Sequence, residues 1–146
     1  MNISIKFLLV SASLLVAVQA HANTYSVVNH TNQDHNVKLQ LLGVMEPVED
    51  LGIAKARGGR VAASFGGTRT FLCVKHLWVG DVEPTVFSVN PQQYQEIVAF
   101  KNDPRGLDTY LRRQGLMPTI LGRCGNRQFE VFNSGDRNQA VIITLN

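Results

Sequence analysis

Two glycine pairs, Gly58-Gly59 and Gly66-Gly67, each stand between runs that can be fully extended. Glycine supplies positive φ without steric cost, and a two-residue loop of this kind favours a tight hairpin. The segments 52–57, 60–65 and 68–79 are therefore expected to form a three-stranded meander. The rest of the chain repeats the theme of short β-type runs broken by turn chemistry. TYSVVN (24–29) and NVKLQLLGV (36–44) are joined by the polar link HTNQDH, and Val37, Leu39 and Leu41 alternate with Lys38 and Gln40. That period of two marks a half-buried strand. PTVFSVN (84–90), MPTILGR (117–123), RQFEVFN (127–133) and AVIITLN (140–146) read as further strands, with GDRNQ as the last turn.

Two segments between these runs carry other signals. QQYQEIVAFK (92–101) is assigned to a strand, although Tyr94, Ile97, Val98 and Lys101 also fit helical spacing behind an Asn90 cap and Pro91. NDPRGLDTYLRRQG is a helix candidate: Asp103 can cap, Pro104 suits the first helical position, Leu107, Tyr110 and Leu111 form one stripe, and Gly115 terminates it. The expected fold is mainly β, an antiparallel sandwich or partly open barrel of roughly seven to nine strands with one short helix.

The N-terminus places Lys6 ahead of an apolar run from Phe7 to Val18, followed by Ala20 and Ala22. This is the anatomy of a secretory signal. As a helix the run would extend only about 18 Å, short of the roughly 30 Å hydrocarbon core of a bilayer. Residues 1–22 are expected to be removed, which leaves residues 23–146 as one domain delivered to the periplasm or secreted. In an oxidising compartment two cysteines allow a single intramolecular pairing, so a Cys73–Cys124 disulfide is expected. It would close a loop of about 50 residues and remove about 4 kcal/mol of freedom from the unfolded chain in the entropy model.

The hairpin expectation has a chemical corollary. Propagated from both glycine pairs, the register puts Lys55, Arg57, Arg60, Arg69, Cys73 and Lys75 on one sheet face, with Val61, Ala63, Phe65, Leu72 and Val74 on the other. Lys55, Arg57, Arg60 and Arg69 then form a basic contact surface for an acidic protein, an acidic glycan or a lipid head group. On a regular strand Cys73 and His76 face opposite ways, which disfavours a Cys-His catalytic pair and a local metal pair. His76 reads as a packing histidine beside Trp78.

Other chemistry is sparse. His30 and His35, with Asp34 between, are metal-competent ligand types in a polar link that is also the ordinary home of Asn, Asp and His. Asn29-His30-Thr31 matches the N-glycosylation sequon. No nucleotide loop, nucleophile elbow or H-E-x-x-H is found, and no cofactor is called for. Fourteen Lys+Arg against eleven Asp+Glu, a formal +3, is too mild a balance to announce a nucleic-acid binder. The expected function is an exported, non-catalytic binding module. The alternatives are a small secreted hydrolase or metalloprotein using His30 and His35, and a subunit that pairs through an exposed strand.

Overall fold

The computed structural model describes residues 22–118, 126–135 and 140–144. Among these the chain is mainly β, with eight strands and two α-helices. The strands are β1 (Asn23–Asn29), β2 (His35–Leu41), β3 (Val48–Ala54), β4 (Gly59–Phe65), β5 (Val74–Val79), β6 (Thr85–Val89), β7 (Arg127–Phe132) and β8 (Ala140–Thr144). The helices are α1 (Pro91–Val98) and α2 (Pro104–Arg113). The expected signal segment through residue 21, the stretch 119–125 that holds Cys124 and most of the proposed 117–123 strand, and residues 136–139 of the expected last turn lie outside the described residues.

The strands divide into a five-stranded sheet ordered β4-β1-β7-β8-β6 and a three-stranded sheet ordered β3-β2-β5. One core joins them: Tyr25, Val27, Phe65, Val86, Phe129 and Val131 from the larger sheet pack with Val37, Leu39, Leu41, Ala54, Val74, Leu77 and Val79 from the smaller. A second core lies on the opposite face of the larger sheet, where Phe87, Val89 and Phe132 meet Ile97 of α1 and Leu107 and Leu111 of α2. The larger sheet is thus a middle layer.

Three sequence expectations need correction. The meander does not form. β3 pairs with β2, whereas β4 pairs antiparallel with β1, in the other sheet. The reason is capture by β1: Gly58 N–H donates to Asn29 C=O at 2.7 Å and Arg57 N–H to Thr31 C=O at 2.9 Å. The buried Asn29 amide donates in turn to the carbonyls of Ala54 and Gln33. Those bonds carry the chain from one sheet to the other over the first glycine pair. A side chain on Gly59 would collide with the Lys55 backbone, so this crossing needs a glycine there. The second pair leads into a single 3-10 turn, Gly67–Arg69, and the chain then crosses back to enter β5.

The sheets are also not purely antiparallel, because β1 pairs parallel with β7, and β6 with β8. Helices α1 and α2 lie in the connection that leaves β6, and such crossovers are what parallel neighbours require. Lastly, 92–101 is not a strand. Asn90 and Gln93 close a reciprocal capping box, with Gln93 N–H donating to Asn90 Oδ1 at 2.8 Å and Asn90 N–H to Gln93 Oε1 at 3.0 Å. Two terminal donors are satisfied locally, and Ile97 is buried beneath. Two α-helices therefore lie among the described residues where one was expected. α2 follows its sequence signals closely, with Asp103 accepting from Gly106 N–H and Pro104 in the first turn.

Candidate functional site

Strand alternation fixes the outer face of the larger sheet. Thr24, Ser26 and Val28 of β1 stand beside Ser64, Ala62 and Arg60 of β4 on one side. Gln128 and Glu130 of β7 pair with Ser26 and Val28 on the other. The helices cover the far end of this face, over Phe87, Val89 and Phe132. The near end is a polar groove of about 450 Å³, lined by Thr24, Ser26, Arg60, Asn126, Arg127, Gln128 and Glu130. No ion pair to Arg60 or Arg127 is found among the described residues. Arg127 also leaves its buried Nε without a hydrogen-bond partner.

Glu130 stands where the covered and bare ends meet, and is only 6% exposed. Its Oε1 accepts from the Tyr94 hydroxyl of α1 at 2.6 Å and lies 2.6 Å from His30 Nε2. The His30 ring stacks on Phe132 with centroids 4.7 Å apart. Burial pushes the Glu130 carboxyl up, but the bonds from His30 and Tyr94 outweigh it and hold the group below its ordinary value. Burial, then the bond to Glu130, pushes the Tyr94 phenol well above its ordinary value. The two groups therefore meet as carboxylate acceptor and neutral hydroxyl donor. Tyr110 of α2 makes a similar contact with Glu96, and burial with that bond raises its phenol to about 12.

The four basic residues expected on one sheet face are distributed differently. Lys55 lies in the crossing turn, 3.2 Å from Asp34 Oδ2 and largely exposed. Asp34 also accepts from Ala56 N–H at 2.8 Å, and this bond, with Lys55, lowers its pKa. Arg57 occupies the same turn at φ +60°. Arg60 is on β4 and lines the groove. Arg69 sits in the 3-10 turn, bonded to Glu46 at 2.9 Å and Glu49 at 2.7 Å, with its guanidinium 4.8 Å from the Phe65 ring centroid. The Glu49 bond, seconded by Glu46, raises its pKa further. Arg69 thus clamps the β2–β3 link and the start of β3 onto the 3-10 turn. The other half of the face assignment does hold, since Val61, Ala63, Phe65, Leu72 and Val74 all belong to the inter-sheet core.

The histidine readings separate in the same way. His30 turns to Glu130, Asp34 to the crossing turn, and His35 starts β2 with burial depressing its pKa. No group of three metal-competent side chains occurs among the described residues. Asn29 is 1% exposed with its amide bonded, so the folded chain does not present that sequon. Cys73 lies just before β5. A register shift at Gln40/Leu41 then puts Val74 and Leu77 in the core, while His76 and Trp78 share the outer face. His76 is partnered, its Nδ1 2.5 Å from Glu83 Oε1.

Sequence reasoning missed Glu130, Arg127 and Gln128. The signal was present: in RQFEVF an acidic residue alternates with buried Phe129 and Val131, where an exposed strand face or a bonded carboxylate is required. Compared with protein-family models, curated proteins and solved structures, the chain matches none.

Proposed function

We propose that the chain is an exported, non-catalytic recognition module that takes an anionic partner in the groove on the bare end of the larger sheet. The observation that carries this reading is that two arginines, Arg60 and Arg127, neither of them ion-paired among the described residues, line one polar cleft. Guanidinium forks match carboxylate, sulfate and phosphate oxygens, and charge-assisted bonds of this kind are the strong ones. Thr24, Ser26, Asn126 and Gln128 add hydroxyl and amide groups beside them. Glu130, kept ionised by His30 and Tyr94, offers an acceptor at the groove's end. An acidic glycan fits this set best, because its acid groups suit the arginines and its hydroxyls suit Glu130.

Arg60 is retained from the basic surface expected from sequence, Arg127 is added, and Arg69 leaves it because two carboxylates hold it. Export through residues 1–22 and a Cys73–Cys124 bridge complete the proposal. The count of two cysteines in the chain is what supports the bridge.

The test is salt-gradient elution from immobilised heparin. Replacing both Arg60 and Arg127 by Gln should move elution to distinctly lower salt, since each contact of this type is worth about 1.5–3 kcal/mol. Unchanged retention removes the proposal.

A second reading, assembly through an apolar edge, has its own observation. β3 is an edge strand with Val48 and Ile53 more than half exposed, and Val44, Met45 and Phe71 are almost fully exposed nearby in the chain's loops. Light scattering over a concentration series tests it, and a mass that stays monomeric argues against it.

A further inference from the structure

A second cleft lies on the other side of the His30–Glu130 pair, and its lining differs in kind from that of the groove. It is small, about 150 Å³, and is built from four separate segments: His30, Thr31 and Asn32 after β1, Arg57 in the crossing turn, Lys101 and Asn102 between the helices with Pro104 opening α2, and Asn133 after β7. No Asp or Glu lines it. Neither Arg57 nor Lys101 has an ion pair among the described residues. His30 uses Nε2 on Glu130, so its ring is fixed at the cleft by that bond and by the stack on Phe132. The Asn133 amide donates to Asn32 Oδ1 at 3.4 Å, which ties two of the lining segments together.

Arg57 is held there against its backbone preference. Its φ of +60° lies in the left-handed region that favours glycine, and glycine follows immediately at Gly58. The turn is pinned by the bonds to the Thr31 and Asn29 carbonyls, so the arginine cannot relax without breaking the sheet crossing. Two unneutralised cations around a cavity free of carboxylates repel one another, and an anion between them removes that repulsion.

We propose that this cleft binds a single tetrahedral oxyanion, a phosphate or sulfate group, held by Arg57 and Lys101 with the amides of Asn32, Asn102 and Asn133. The volume is below the roughly 300–1,000 Å³ typical of sites for drug-sized ligands. Its lining residues come from four separate segments, which suits an anion with acceptor oxygens on all sides better than a planar carboxylate. The cleft is open to solvent, so the oxyanion is either free in solution or the terminal group of a larger phosphate or sulfate ester.

The experiment is NMR titration of the full exported chain with inorganic phosphate, inorganic sulfate and glycerol phosphate. The side-chain and backbone signals of Arg57, Lys101, Asn102 and Asn133 should shift with a common dissociation constant of about 1 mM or tighter. Arg57→Gly, which keeps the left-handed turn free of strain, and Lys101→Gln should each weaken binding at least tenfold. Arg60→Gln with Arg127→Gln should leave it unchanged, which separates this site from the groove. Tighter binding of glycerol phosphate than of phosphate supports an ester-borne group, and the reverse supports the free anion. No shift at these residues up to about 50 mM phosphate, far above the affinity expected, overturns the proposal. So does a shift that Arg57→Gly and Lys101→Gln leave intact.

Discussion

The two ends of one sheet face tell different stories. Beneath the helices the outward residues of β6 and β7 are Phe87, Val89 and Phe132, apolar and buried, and the strands there bury both faces. On the bare end the outward residues are Thr24, Ser26, Gln128 and Arg60, although the inward residues of the same strands, Tyr25, Val27, Phe129 and Val61, are as apolar as any in the core. One side of each bare strand thus pays the folding free energy while the other is open to contacts. A sheet covered over only part of its length divides labour along the strand order, and Glu130 marks the boundary.

The largest expected effects lie on the covered end. Phe132→Ala and Ile97→Ala, each fully buried in the helix-facing core, should cost about 3–5 and about 2–5 kcal/mol respectively by denaturant unfolding. Gln128→Ala and Thr24→Ala on the bare end should stay within about 0.5 kcal/mol. Equal losses at the two ends would mean that the bare face is covered by something in solution.

At the boundary, Glu130→Gln should destabilise by about 1–3 kcal/mol, because a neutral amide accepts more weakly from His30 and Tyr94 and leaves buried groups poorly matched. The pH dependence has a definite sign. Glu130 has a folded pKa below its ordinary value of 4.5, so its contribution is complete above that value and is lost as acid carries the pH down through the folded pKa. Tyr94 and Tyr110 have raised values and favour the fold up to about pH 10, losing that contribution as the pH climbs further, through about 12 for Tyr110. In Glu130→Gln the acid-dependent loss of stability should shrink. An acid limb identical to that of the parent protein would show that other carboxylates control it.

The smallest effect concerns the crossing turn. Arg57→Gly relieves a left-handed arginine but adds freedom to the unfolded chain, so the net change should be a stabilisation of no more than about 1 kcal/mol. A marked loss of stability would show that the arginine side chain supports the crossing.

How far the fold can be read from sequence follows from what each signal controls. Alternation in 36–41 and 60–65 reports which side chains face a core, and Val37, Leu39, Leu41, Val61, Ala63 and Phe65 face it as expected. The Asp103-Pro104 start and Leu107/Leu111 stripe report local bonds and burial, and α2 follows them. The glycine pairs report only that positive φ is permitted. They do not say which strand collects the donors at the turn, and Asn29 and Thr31, far earlier in the chain, take that role. The basic surface depended on hairpin pairing, so Arg57, Arg60 and Arg69 separate to a cleft, a groove and an ion-pair clamp. Glu130, His30 and Tyr94 come from three distant segments, and no spacing in the chain announces their meeting.

The central proposal is that the bare end of the larger sheet is a contact surface for anions. The most direct measurement is amide chemical-shift mapping of the protein with a short sulfated oligosaccharide. The account predicts saturable shifts concentrated at Thr24, Ser26, Arg60, Arg127 and Gln128, suppressed by raised salt, with Phe87 and Leu107 unmoved. Shifts confined to the helices or to the exposed apolar loops, or none at all, would contradict it.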